Sequence, residues 1–198
     1  MIDKQIKTVH DGAERYIKNG SGIFVDKNLK IPFPIDINRE NMVIHKIIVV
    51  HGIEEAFKSH ENDNTYGIFY ISYGNNDKDL SPFVINIDKE NPVHVFDGLG
   101  FSIVLGELDT YCDFSSYLNA KVKAINSCNR LDYYREEYLL ARYYSGFDEA
   151  KQKHFIRIGG ENSNHTVKLG TWKQFSETEW YKNKKEADKI SYFWDVMI

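Results

Sequence analysis

Only two cysteines occur in 198 residues, Cys112 and Cys128. No CxxC pair is present, so there is no zinc-ribbon or thioredoxin-type signature, and the two thiols are expected to be free and reduced, as in a cytoplasmic protein. No apolar run reaches the roughly 18 residues a membrane span needs. The N-terminus, MIDKQIKTVHD, is polar from its start and lacks a signal-peptide apolar region. Strong charge of either sign is missing too. A net charge of −4 argues against a constitutively basic nucleic-acid binder, although it leaves room for a local basic face. Several motifs are absent: GxxxxGK[ST], GxSxG and HExxH do not occur, and Gly98-Leu99-Gly100 lacks the third glycine of GxGxxG. No cofactor is indicated, and no repeat or low-complexity tract is visible.

What is present is core-forming material. Hydrophobic residues make up 42% of the chain and aromatics 14%, ample for one domain of this length. Its most ordered stretch is Pro92–Ile125. A short apolar run ends at Asp97-Gly98. Phe101, Val104, Leu105 and Leu108 then recur at i, i+3, i+4 and i+7, which predicts one buried helix face. After a break at Asp109-Thr110, Asp113 is placed to cap a second helix that buries Phe114, Tyr117, Leu118, Val122 and Ile125.

Upstream, Asp3–Lys18 reads as a helix stopped at Asn19-Gly20, and Gly22–Asp26 as an extended piece. Lys27–Asn41, with Pro32 and Pro34, reads as loop or edge. Met42–Val50 (MVIHKIIVV) is the clearest strand and reads as a central one covered on both faces. Gly52–His60 suggests a short helix, followed by a Glu61–Asn64 loop. Tyr66–Tyr73, Phe83–Ile87 and Val93–Phe96 complete the strands, and their close spacing favours antiparallel neighbours. Downstream, Leu131–Tyr144 reads as a helix. His154–Ile158 and Thr166–Leu169 read as a hairpin, Glu177–Lys189 as a solvated charged helix face, and Ile190–Ile198 as an apolar end needing a dock. These elements predict an α/β (α+β) fold: a mixed sheet of about four to six strands between Ile23 and Phe96, with packed helices and a helix-rich second half. The chain reads as a single domain, 1–198, with a subdivision into 1–97 and 98–198 left open.

Three groups of side chains are candidates for function. Asp36, His51, Glu54 and Glu55 could hold a divalent metal or serve acid–base chemistry, since His51 and Glu55 are four apart. His45 flanks the same strand. Lys121, Lys123, Arg130, Arg135 and Arg142 run through a helical region beside Tyr133 and Tyr134, the mixture that neutralises phosphate and stacks on bases. Tyr192, Phe193 and Trp194 form an aromatic terminal run suited to contact. Asp36, Asp88, Asp97 and Asp109 sit at predicted element ends, where capping is the commoner role of a carboxylate.

The segment Gly106–Lys121 (GELDTYCDFSSYLNAK), with Val93–Asp97 before it and Arg135–Tyr144 and Ser191–Asp195 after it, resembles the central and C-terminal part of bacterial nuclease-related proteins with a restriction-endonuclease-like core. Catalysis of that kind requires an acid followed by acid–x–lysine on the next strand, to hold Mg²⁺ and activate water. Pro34-Ile35-Asp36 offers the first half, but His45-Lys46 has no acid two residues before the lysine. The resemblance therefore implies a non-catalytic relative, or a chain that is a portion of something longer. The first expectation is a non-catalytic binding or assembly module of a nuclease or phage-defence type, with a protein partner or a homo-oligomer and no membrane. The alternatives are an Mg²⁺- or Mn²⁺-dependent nuclease or hydrolase, and a nucleic-acid-binding domain.

Overall fold

A computed structural model describes residues 5–6, 8–19, 22–35, 38–52, 69–74, 83–160 and 162–196, the side chains of 9–11 and 190–196 excepted. A π-helical stretch, Val9–Glu14, runs into α1 (Arg15–Lys18). The strands β1 (Lys46–Val50), β2 (Tyr70–Tyr73), β3 (Val84–Ile87) and β4 (Val93–Asp97) follow. Next come α2 (Gly98–Glu107), α3 (Tyr111–Ser127), β5 (Arg130–Tyr133) and α4 (Glu136–Tyr144). The chain continues through β6 (Phe147–Asp148), β7 (Lys153–His154), β8 (Asn164–Thr166), α5 (Thr171–Ser176) and α6 (Glu179–Val196). The class is the expected mixture of helices with parallel and antiparallel strands.

Strand pairing departs from the sequence expectation. β1 and β4 pair parallel with Ile48 opposite Val95, and a second sheet has the order β3-β2-β5-β8. β2 and β3 are parallel despite their short separation, and β3 and β4 are not neighbours. Among the described residues β1 has one strand neighbour, where a central strand covered on both faces was expected. Its Ile47, Val49 and Val50 are half-covered. The sheet also extends past Phe96. Leu131–Tyr133, expected as the start of a helix, lies in strand β5, antiparallel to β2. Leu131 and Tyr133 bury on β5 together with Asp132. Asp132 is held there by the Ser72 hydroxyl at 2.6 Å, Arg130 at 2.8 Å and the Thr166 hydroxyl at 3.4 Å. The expected 154–169 hairpin is likewise absent: β7 pairs with β6, and β8 pairs with β5.

The two helices of the central stretch form where expected, with different caps. Asp97 accepts from the Gly100 amide and starts α2. Thr110, rather than Asp113, caps α3: its hydroxyl accepts from the Asp113 amide at 3.0 Å and donates to the Asp113 carboxylate at 2.6 Å. Val104 on α2 and Leu108 at its C-terminal cap are buried while Leu105 stays exposed. Tyr143, Tyr144, Phe175, Trp180 and His154 pack into one aromatic layer, with the Tyr144 and Phe175 rings stacked at 5.7 Å. Helix α6 is therefore more than a solvated charged face. Glu107 receives the Tyr181 hydroxyl at 2.6 Å and Lys185 at 2.6 Å, which fastens α6 to the end of α2. Among the described residues no helix is long and apolar enough to cross a membrane.

Residues 23–33 form a hairpin that the sequence suggested only as extended piece and loop. Val25 donates to the Ile31 carbonyl at 3.0 Å and Phe33 to that of Ile23 at 2.8 Å. The Asp26 carboxylate closes the turn by accepting the amides of Asn28, Lys30 and Ile31, and those bonds hold its carboxyl below the usual range. The hairpin is tied back through the Tyr16 hydroxyl, which donates to the Gly22 carbonyl at 3.0 Å.

Candidate functional site

The parallel pair β1–β4 organises three groups of polar side chains, one at each end and one behind it. Behind it lies a fully buried ion pair. Tyr117 and Lys121 are one helical turn apart on α3 and share its buried face with Leu118 and Ile125. Lys121 Nζ meets Glu136, the first residue of α4, at 2.7 Å to Oε1 and 2.8 Å to Oε2. The same carboxylate accepts the Tyr117 hydroxyl at 2.5 Å and the Tyr133 hydroxyl at 3.0 Å. The rings of Tyr133, Phe96 and Tyr73 surround the ammonium at 5.1, 5.3 and 5.7 Å. Burial pulls the Lys121 ammonium below its usual pKa, and Glu136 opposes that shift. Burial, reinforced by the Glu136 charge, pushes the Tyr73, Tyr117 and Tyr133 phenols well up. Every strong donor and acceptor here is occupied, so the group is built to hold three elements together.

At the carboxyl ends of the two strands, Asp97 closes β4 and His51 follows β1. This is the edge where open parallel sheets bind ligands. The His51 ring lies over Gly98, its Nδ1 3.6 Å from where a Cβ would project. Arg135 Nε approaches Glu137 at 2.9 Å and Asp97 at 3.5 Å. Glu137 is buried, and among the described residues no hydrogen-bond donor reaches its Oε2. Burial raises the Glu137 carboxyl, Arg135 pulls it back, and the Asp97 and Glu136 charges add to the rise.

At the opposite end, His45 and His94 face each other, Nδ1 to Nε2 at 3.3 Å. They line an open cleft of about 330 Å³ together with Glu14, Lys46, Glu90, Asn119 and Lys123. Burial lowers both imidazoles, His94 strongly, and Lys121, His45 and Lys46 add to the effect on His94.

The sequence candidates are distributed as follows. His51 stands beside Asp97, while Asp36, Glu54 and Glu55 lie outside the described residues, as does the expected 52–60 helix beyond Gly52. Among the described residues no three of His, Cys, Asp and Glu come together as a metal site. The cationic face is corrected by burial. Lys121 and Tyr133 have no exposed surface, Arg130 pairs with Asp132, and Arg135 with Glu137. Lys123 is exposed, while Arg142 and Tyr134 are half-buried. Tyr192, Phe193 and Trp194 fall on the last turns of α6, and their side chains lie outside the described ones. Cys112 is exposed and Cys128 buried, both unpaired. Sequence reasoning missed Glu136, Glu137 and His94. A signal for the first was available: Lys121 falls on the apolar stripe of its own helix, where a charge requires a buried partner. No family model, curated protein or solved structure matches the chain.

Proposed function

We propose that the chain is a non-catalytic binding or assembly module, of the kind its resemblance to nuclease- and defence-type proteins implies, and that it works through protein contacts. The observation that carries this reading is the 23–33 hairpin and its exit. Val25, Leu29, Ile31 and Ile35 are each more than half exposed, and Phe33 is exposed beside them. An ordered element with that many solvated apolar side chains costs stability unless it is covered. A second copy of the chain suits it. The exposed rim mixes Lys27, Lys30 and Arg39 with Glu40, signs that a twofold arrangement can set against each other. Sedimentation equilibrium is expected to give a dimer in the micromolar range. The combined Val25→Ser, Ile31→Ser and Phe33→Ser variant is expected to sediment as a monomer with an unchanged far-ultraviolet spectrum. A wild-type monomer at all attainable concentrations contradicts the reading.

Divalent-metal hydrolysis is kept as a second reading because His51 reaches Gly98 and the buried Glu137 carboxyl, raised by burial, reaches Gly100 at the same strand-end edge. Under the first reading, plasmid DNA and RNA stay intact with Mg²⁺ or Mn²⁺. Cleavage that disappears in both His51→Ala and Glu137→Gln would transfer the assignment to that edge.

A further inference from the structure

We propose that the cleft between α4 and α5 is a binding site for a small monophosphate ester, held by Arg142 and Lys168. The cleft has a volume of about 320 Å³, at the lower end of the range of ligand pockets. Its two cations come from separate, fixed elements. Arg142 stands in the last turn of α4, which is joined to α5 by the Tyr144–Phe175 stack at 5.7 Å. Lys168 enters from the segment before α5. Gly170, at φ 80°, makes the turn there, and the Thr171 hydroxyl fixes it by donating to the Lys168 carbonyl at 2.6 Å.

The positive charge of this cleft is uncompensated. Lys46, Lys121, Arg130 and Arg135, all buried or half-buried, each meet a carboxylate. Among the described residues Arg142 is the one covered cation with neither an ion pair nor a hydrogen bond. Covered cations are ordinarily paired, because leaving water without a partner is costly. None of its nitrogens is sealed from solvent, so its donors stay within reach of a ligand. The carbonyls of its neighbours Ala141 and Tyr143 are already taken by the Ser145 and Gly146 amides. Lys168 has no ion pair among the described residues either, and no aspartate or glutamate lines the cleft.

The hydrogen-bonding pattern selects a ligand that only accepts. Ser145 donates its hydroxyl proton to the Ala141 carbonyl at 2.6 Å, and Thr178 donates to that of Phe175 at 2.7 Å. The donors left for a ligand are therefore those of Arg142, Lys168 and the Gln174 amide. A phosphate offers three acceptor oxygens and up to two charges, which match two unpaired cations. The guanidinium fork suits two of those oxygens, and an ammonium meets the third as a point charge. Phe175 and the exposed Leu169 add an apolar surface for the esterified group.

The test is calorimetric titration of the full chain with phenyl phosphate at fixed ionic strength, beside benzoate and phenol. One phenyl phosphate per chain is expected, bound about tenfold more tightly than benzoate, with no binding of phenol. Arg142→Gln should weaken binding by about tenfold or more. Lys168→Glu should abolish it, with the far-ultraviolet spectrum unchanged because this side chain is exposed. Lys151→Gln, which alters an exposed cation outside the cleft, should leave binding as it was. Absence of saturable phenyl phosphate binding overturns the proposal. So does binding that survives Lys168→Glu, and so does benzoate bound as tightly as phenyl phosphate.

Discussion

Replacing Lys121 by methionine is expected to lower folding stability by about 3–5 kcal/mol, because it leaves the Glu136 carboxylate buried without its cation. The Tyr117 and Tyr133 hydroxyls still donate to that carboxylate, so the loss has a ceiling. One consequence separates this account from simple loss of packing. The double variant Lys121→Met, Glu136→Gln should recover much of the loss, giving a coupling energy of about 2 kcal/mol in a double-mutant cycle followed by urea unfolding. Additive losses would mean that the two side chains do not depend on each other.

A second large effect is expected in alkali. The folded-state pKa values of Tyr73, Tyr117 and Tyr133 lie well above that of an unfolded phenol, near 10. Their contribution to stability is therefore complete below pH 10 and is lost as pH climbs towards the folded values. Each phenol that stays protonated in the folded chain and ionises in the unfolded one adds about 1.4 kcal/mol per pH unit, so three give about 4. Lys121 acts in the opposite sense, since its lowered pKa relieves a cost as pH approaches 10.4 and contributes nothing beyond. For a domain stable by 5–15 kcal/mol, unfolding within about one to four units above pH 10 follows. Absorbance of tyrosinate near 295 nm should rise together with loss of the far-ultraviolet signal, and Tyr133→Phe should flatten the slope. Tyrosines that all ionise near pH 10 while the fold persists would contradict this.

Much of the architecture follows from local pattern. The 3.6-residue spacing of Val104 and Leu108 and the stripe through Tyr117, Leu118 and Ile125 locate α2 and α3, and the aspartate before Gly98 locates the cap. Pairing was less legible, because partner choice depends on contacts distant in the sequence. β2 and β3 lie close in the chain yet run parallel, and β5 enters the sheet from beyond two helices. The Leu131 segment reads as helix because Leu131, Tyr134, Tyr138 and Ala141 fit a helical period, while Asp132 owes its burial partly to Ser72, sixty residues away in the sequence. The same limit applies to the candidate sites. Lys121 resembles a surface cation until Glu136 is seen against it, and His94 is an ordinary strand residue until His45 is found 3.3 Å away. The apolar hairpin was hidden for another reason. Pro32 and Pro34 suggest a loop, but Pro32 bridges Phe24 across a turn closed by Asp26.

The central claim, that the chain acts through a contact made by this hairpin, is tested most directly by amide hydrogen exchange at low and high protein concentration. Protection confined to residues 22–35 and rising with concentration is the predicted result, with the β2–β5 amides unchanged. Exchange over 22–35 that is independent of concentration, while protection appears elsewhere or nowhere, would contradict it.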